Sequence, residues 1–398
     1  MIVGGGQAAT QAAQSARQSG FDGQITLVAE EVYLPYQRPP LSKGFLACDL
    51  ERDRLLLKPD QFYRTREIEL RLGTRVDHID PAKAQVTLSG GEQIPYSKLL
   101  LATGGKPIKL KVPGANLQGV NYLRSIDDVE SIKQQFVEGQ RLLIVGAGYI
   151  GLEVAAVAIQ AGLSVTLLEA QSHALSRSVC PEVAGFFADY HRQAGVDLRF
   201  EAAVTEFYGD TRVRGAETAA GSRFECDLVI AAIGIRPRVA LAESAGLTID
   251  NGIAVDAYGR TSAPSVFAAG DCTSHPHPWV GQRIRLESVQ NAIEQGKSAA
   301  AAICGSDRAF DAIPWFWSDQ YDLKLQIAGL SLGYDTTVIR GRMEDLSFSV
   351  YYLADGRVIA VDSINDPRHF IAARKQLAEK PRWPVSTIAD LNYDLSEL

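Results

Sequence analysis

Cysteine is scarce in this chain of 398 residues. The five present, Cys48, Cys180, Cys226, Cys272 and Cys304, are odd in number and widely spaced, with no C-x-x-C. That excludes a disulfide framework and a zinc cluster as organising devices, and reduced thiols suggest a cytoplasmic protein. Positive charge is also short: 40 lysines and arginines face 47 acids, a net charge of −7. Neither a nucleic-acid backbone nor an anionic membrane is generally attracted to such a chain. Long apolar runs are missing too. The one candidate, residues 142–168, is interrupted by glycines and by Glu153 and reads as strand, turn and helix, so no membrane span is expected. No targeting segment precedes the first motif, and with only Ile2 and Val3 left for a first strand, a few upstream residues are expected to be missing.

What is present is a globular composition, 46% hydrophobic and 22% charged, with interior enough for two or three domains. Two dinucleotide fingerprints organise it. The first is Gly4-x-Gly6-x-x-Ala9, followed by a helix that puts Ala8, Ala12 and Ala16 on one face, fit to pack close to a sheet. A strand over 25–30 then ends in Glu30. Gly4 allows the tight turn, Gly6 lets a pyrophosphate approach the backbone, and Ala9 lets helix and strand come close. Helix-start N–H groups would take the phosphates, and Glu30 can accept hydrogen bonds from a ribose. The second is Gly146-x-Gly148-x-x-Gly151 after the strand 141–145, with a helix through Ala161 and a strand ending in Glu169. No lysine or arginine follows Glu169 until Arg177, which favours NADH over a 2′-phosphorylated cofactor. Two pyrophosphate sites in one chain most simply mean two dinucleotides, FAD at one and NADH at the other.

Two further segments, KLLLATGGKP (98–107) and DLVIAAIGIRP (227–237), each read as a strand that closes a nucleotide domain and leaves it at a glycine. TSAPSVFAAGDC (261–272) presents Gly270 and Asp271 at a strand end. With YQRPPLSK (36–43), RLESVQNA (285–292) and PWFWSDQY (314–321), these motifs make the whole chain resemble the NADH-dependent ferredoxin reductases that feed aromatic-ring dioxygenases and bacterial cytochromes P450.

The resemblance implies an α/β fold: two Rossmann-like dinucleotide-binding domains of the glutathione-reductase type plus a C-terminal α+β interface domain. The implied boundaries are 1–108 with 236–310 for FAD, 109–235 for NADH and 311–398 for the interface domain. It implies FAD contacts at Gly4, Gly6, Ala8, Ala9, Glu30, Arg38, Pro39, Lys43 and Val76. Further FAD contacts fall at Ala102, Thr103, Gly104, Arg124, Gly270, Asp271, Glu287, Ser288, Val289 and Trp317. NADH contacts are implied at Gly146, Gly148, Tyr149, Ile150, Gly151, Glu153, Glu169, Ile233, Gly234 and Glu287. Glu153 and Glu287 resemble the carboxylates near the nicotinamide carboxamide, whose NH2 needs an acceptor, and Tyr149 the aromatic residue that shields the flavin. Lys43, Glu153 and Trp317 are the catalytic candidates, Lys43 as a cation beside flavin N5 and O4. A helix-surface charge is the alternative for Glu153, and a plain core anchor for Trp315 and Trp317.

Disulfide reductases share this architecture but need a redox cysteine pair beside the flavin, and RPPLSKGFLAC holds only Cys48, expected to be a buried apolar side chain. Electrons are therefore expected to leave for an external [2Fe-2S] ferredoxin, which in turn supplies a cytochrome P450 or Rieske-type dioxygenase. From about Asp311 the pattern changes to strands at 346–353 and 357–364 about an Asp355-Gly356 turn, then a helix around 370–377. Lys58 matches the basic position where the family docks its ferredoxin, with Arg340 or Arg342 as additions to that patch. A monomer is the expected state, a dimer the alternative. Rubredoxin reductase, NADH oxidase and an apoptosis-inducing-factor-like binding role stay open on the same scaffold.

Overall fold

The computed structural model describes residues 1–379 and 381–395, so residues 396–398 of the expected interface domain lie outside the described residues. The chain divides into two compact units, residues 1–37, 52–106 and 235–312 in one and residues 38–51, 107–234 and 313–398 in the other.

The first unit is built on a five-stranded parallel sheet in the order Val266–Ala268, Leu99–Leu101, Ile2–Val3, Ile25–Val28, Ile68–Arg71. Four of these strands are buried throughout and apolar except for Thr26, as parallel strands covered on both faces are, whereas the edge strand Ile68–Arg71 carries Glu69 and Arg71 and is mostly half-buried. Val3 lies beside both Val28 and Leu101, and Ala268 beside Leu101, so four strands end level. The helix Gln7–Gln18 follows the first strand. Its Ala8, Ala12 and Ala16 share one core cluster with Ile2, Ile25, Leu27 and Leu100 of the sheet, as the sequence suggested, and also with the helix Val289–Ile303. A Cβ on Gly296 would stand 2.8 Å from the Ala8 carbonyl oxygen, so two backbones touch where only small residues fit. An antiparallel meander, Val76–Asp80, Gln85–Leu88 and Gln93–Pro95, completes the core around Val3 and Val28.

The second unit repeats the plan with a parallel sheet ordered Asp197–Arg199, Ser164–Leu168, Arg141–Val145, Leu228–Ala231, Val120–Asn121. The helices Tyr149–Gln160 and Pro181–Gln193 flank it. Its last part is a five-stranded antiparallel sheet, Trp315–Gln320, Leu323–Gly329, Arg357–Ile364, Ser347–Ala354, Thr336–Arg342. The hairpin turn forms where the sequence placed it, because Asp355 and Gly356 both take positive φ, 49° and 70°, as a primed two-residue turn requires. The helix that follows the hairpin is Pro367–Gln376, starting earlier than expected: the Asp366 carboxylate caps the His369 N–H and Pro367 occupies the first helical position.

Candidate functional site

In the first unit, Gly4, Glu30, Ala102 to Gly104 and Gly270 with Asp271 all follow the carboxyl ends of adjacent parallel strands, the edge where open α/β sheets bind ligands. Gly4 has φ 126°, and a Cβ there would lie 2.1 Å from the Ala102 carbonyl oxygen, so only glycine fits. Gly6 is different. It precedes the helix as its N-cap, and a Cβ there would meet nothing within 4 Å. The space in front of those helix N–H groups is open, a cradle that a side chain would fill and a pyrophosphate can enter.

Glu30 is half exposed and pairs with Arg238 at 2.7 Å. Arg238 also accepts from the Thr103 hydroxyl at 2.7 Å and donates its N–H to the Gly104 carbonyl at 2.8 Å, tying two strand ends together. Sequence reasoning missed Arg238; its place just after the IGIRP crossing was the available signal. Gly270 (φ 89°) donates its N–H to the Gln295 side chain at 2.6 Å, which also takes the Thr273 hydroxyl at 2.7 Å. Ser288 caps the helix Val289–Ile303, and Glu287 pairs with Arg285. Ala8, Ala9 and Val76 are buried, Val76 within the core beside Val3 and Val28.

The second unit holds Arg38, Pro39, Lys43, Arg124, Glu153 and Trp317. Arg38 donates to the Arg124 carbonyl at 2.7 Å. Pro39 opens a one-turn 3-10 helix, Pro39–Ser42, that delivers Lys43 to Glu153 with Nζ to Oε2 at 2.7 Å. Glu153 is 2% exposed, so it is no surface charge. Its carboxylate also accepts from the Ser42 hydroxyl at 2.5 Å and the Ser318 hydroxyl at 2.6 Å. Burial pushes this carboxyl up from the usual range, while Lys43 and the two serines pull it back. Lys43 and Glu153, given separate tasks above, thus form one ion pair, and Ser42 and Ser318 are its unforeseen partners. Trp317 is half buried in a row with Trp315, at 5.6 Å between ring centres, and Phe316. Trp315 lies under the Arg374 guanidinium and against Phe370.

The second fingerprint repeats the logic of the first. Gly146 has φ 105°, with a would-be Cβ 2.7 Å from the Ala232 carbonyl oxygen, and one on Gly151 would lie 2.0 Å from the Gly146 carbonyl oxygen. Gly148, the helix N-cap, again faces open space. Glu169 accepts from the Ala147 N–H at 2.7 Å and the Gln171 N–H at 2.9 Å, so the acid at the second strand end also shapes the glycine turn. The Tyr149 ring packs on Phe316 at 4.6 Å, and burial raises its phenol above the ordinary range. Ile150 is exposed and Ile233 half buried. Gly234 has φ 106°, its carbonyl accepts from the Ile108 N–H at 3.0 Å, and the Arg177 guanidinium lies beside it.

Two expectations are overturned. Cys48 is exposed, not buried. It sits at φ 63° where the 44–50 turn closes through Asp49 and Leu50 N–H bonds to the Gly44 carbonyl, and that left-handed position projects outward. Arg340 is 4% exposed and donates to the carbonyls of Ile388, Asp390 and Tyr393, so it holds the C-terminal segment and offers no docking charge. Arg342 is exposed beside Glu344. The described residues contain no group of acids, histidines and cysteines that could hold a metal, and no helix long and apolar enough to cross a membrane.

Two glycine cradles on parallel sheets, a buried carboxylate paired with a half-buried lysine and an appended antiparallel sheet define a class. The chain belongs to the pyridine nucleotide-disulphide oxidoreductase family, which it matches over residues 1–296, and residues 315–398 match the reductase C-terminal family. It is 42% identical to rhodocoxin reductase of Rhodococcus erythropolis over 396 residues, 99% of this chain and 93% of that one. It is 40% identical to putidaredoxin reductase of Pseudomonas putida over 404 residues, 100% of this chain and 96% of the relative. The crystal structure of the covalent putidaredoxin reductase–putidaredoxin complex matches with a TM-score of 0.96 at 40% identity, over 100% of this chain and 96% of that one.

Proposed function

We propose that the chain is an FAD-dependent NADH:ferredoxin oxidoreductase, passing electrons from NADH to a [2Fe-2S] ferredoxin that supplies a cytochrome P450 or aromatic-ring dioxygenase. The observation that carries this reading is the pair of open glycine cradles, at Gly6 and Gly148, in a chain whose five cysteines are all free. When bound, FAD accepts a hydride from NADH and releases electrons one at a time, a conversion neither side chains nor NADH can make alone.

The chain's own part is binding and electrostatics. Gly6 and the following helix N–H groups hold one pyrophosphate, Glu30 a ribose, and Gly270 with Asp271 the approach to the flavin side chain. Gly148, Tyr149, Glu169 and Gly234 hold NADH. Glu153, with Ser42 and Ser318, fixes the Lys43 ammonium in one place on an otherwise flexible stem, so that its charge is positioned before any charge develops. Tyr149, Phe316 and Trp317 supply an aromatic wall that excludes water. The division into 1–108 with 236–310, 109–235 and 311–398 belongs to this proposal, supported by the separate family match of residues 315–398. A cytoplasmic location is likewise proposed, from the five free thiols.

The test is NADH-driven reduction of cytochrome c with a [2Fe-2S] ferredoxin, with a rubredoxin and with neither, alongside a flavin spectrum. Ferredoxin-dependent turnover by a yellow protein is expected. A colourless protein that binds no FAD, or equal rates in all three arms, overturns the reading.

A further inference from the structure

The central strand of the C-terminal sheet, Arg357–Ile364, carries an acid that the proposed reaction does not use. Asp362 is fully buried, in register with Ile327 and Val350. Its Oδ2 accepts from the Tyr352 hydroxyl at 2.5 Å, and its Oδ1 has no partner in the structure. A carboxyl is costly to keep in such a place unless it holds something.

What it holds is the end of a loop. The Tyr352 hydroxyl, while donating to Asp362, accepts the backbone N–H of Cys180 at 2.9 Å. Cys180 is the N-cap of the helix Pro181–Gln193, has no side-chain cap of its own, and precedes a proline that offers no N–H. The relay therefore satisfies a helix-end donor that would otherwise be buried and unpaired. The same loop, residues 175–180, reaches the second fingerprint at two points and Gly234 at a third. Leu175 donates its N–H to the Ala147 carbonyl at 3.0 Å, inside the glycine turn. The Ser178 side chain lies beside the Tyr149 phenol. Arg177 places its guanidinium beside Gly234.

We infer that Asp362 and Tyr352 are positioning residues for NADH, fixing the 175–180 loop so that Tyr149 and the glycine turn stand ready for the dinucleotide. The inference rests on the reading of the second fingerprint as the NADH site. It assigns the C-terminal sheet a task in nucleotide binding in addition to any task in docking. The hydroxyl is the essential link: without it Cys180 loses its acceptor and Asp362 its donor together.

The experiment compares holoprotein variants Tyr352→Phe, Asp362→Leu and Asp362→Asn by calorimetric titration with NAD+ and by hydrogen exchange of the peptide spanning residues 175–184. Tyr352→Phe and Asp362→Leu are expected to weaken NAD+ binding about tenfold, the scale of one lost buried hydrogen bond, and to speed exchange at Cys180. Asp362→Asn, whose side-chain oxygen still accepts from Tyr352, is expected to stay near wild type in both. In steady state the KM for NADH rises with kcat at saturating NADH unchanged. A merely structural role would lower thermal stability in all three variants without this split or this rescue. Unchanged NAD+ affinity in Tyr352→Phe overturns the inference while leaving the site reading intact. Failure of the wild type itself to bind NAD+ overturns the site reading, and the inference with it.

Discussion

Lys43 is 20% exposed and Glu153 only 2%, so each is the other's main compensation for leaving water. Lys43→Ala is expected to fold but to lose about 3 kcal/mol, because the carboxylate is left buried without its cation. Urea melts measure that loss. The double variant Lys43→Met with Glu153→Gln should recover most of it, while reduction of bound flavin by NADH in stopped flow stays slow; a fast double variant would remove Lys43 from the chemistry. Asp362 makes a pH prediction. Burial raises its carboxyl from 3.8 to about 7, so between those values the native state holds a proton that the unfolded chain has released. The stability it contributes is present at low pH and is lost as pH rises towards 7. Against Asp362→Asn, wild-type stability should fall by about 1.4 kcal/mol per pH unit across pH 5 to 6.5 and run parallel above pH 8. Individual residues were also where the sequence was least legible. Lys43 and Glu153 each stood out by motif position, but their union depends on a 3-10 turn meeting a helix from a distant part of the chain. Arg340 reads as a surface cation because nothing local shows that three carbonyls from residues 388–393 close over it. Asp362 reads as an ordinary polar interruption of a strand.

Helices and strands were far more legible, because their signals are local. The glycines of both fingerprints answer to backbone demands that the motif itself encodes, and a parallel sheet assembles around each. What the pattern could not tell was that the alanines after the first cradle also meet a second helix, brought close by Gly296 nearly three hundred residues on. The two kinds of glycine within each motif lead to opposite expectations. Gly148→Ala adds a methyl to open space, so thermal stability should hold within about 1 kcal/mol while NAD+ affinity falls at least tenfold. Gly151→Ala drives a Cβ to 2.0 Å from the Gly146 carbonyl oxygen and should destabilise the protein before any nucleotide is added. Parallel thermal melts and NAD+ titrations separate the two; equal stability losses would mean Gly148 is structural after all.

For the protein as a partner to others, charge placement matters more than total charge. In the 51–71 segment, Arg64 is held by Asp60 and Arg71 by Glu69, whereas Lys58 keeps its ammonium over the Phe62 ring at 5.3 Å. Lys58→Glu is therefore expected to raise the KM for ferredoxin several-fold, more so at low salt, and to leave ferricyanide reduction by NADH unchanged. Equal losses in both assays would count against a docking role. Small, salt-sensitive contacts suit a shuttle that must arrive and leave twice for each NADH. The exposed thiol of Cys48 gives the means to watch it: three of the other four cysteines are buried and Cys304 half so. A maleimide fluorophore would attach first at Cys48, five residues beyond the lysine that holds Glu153. Brightness changes there would then register cofactor loading and partner arrival in a chain that needs no engineered label.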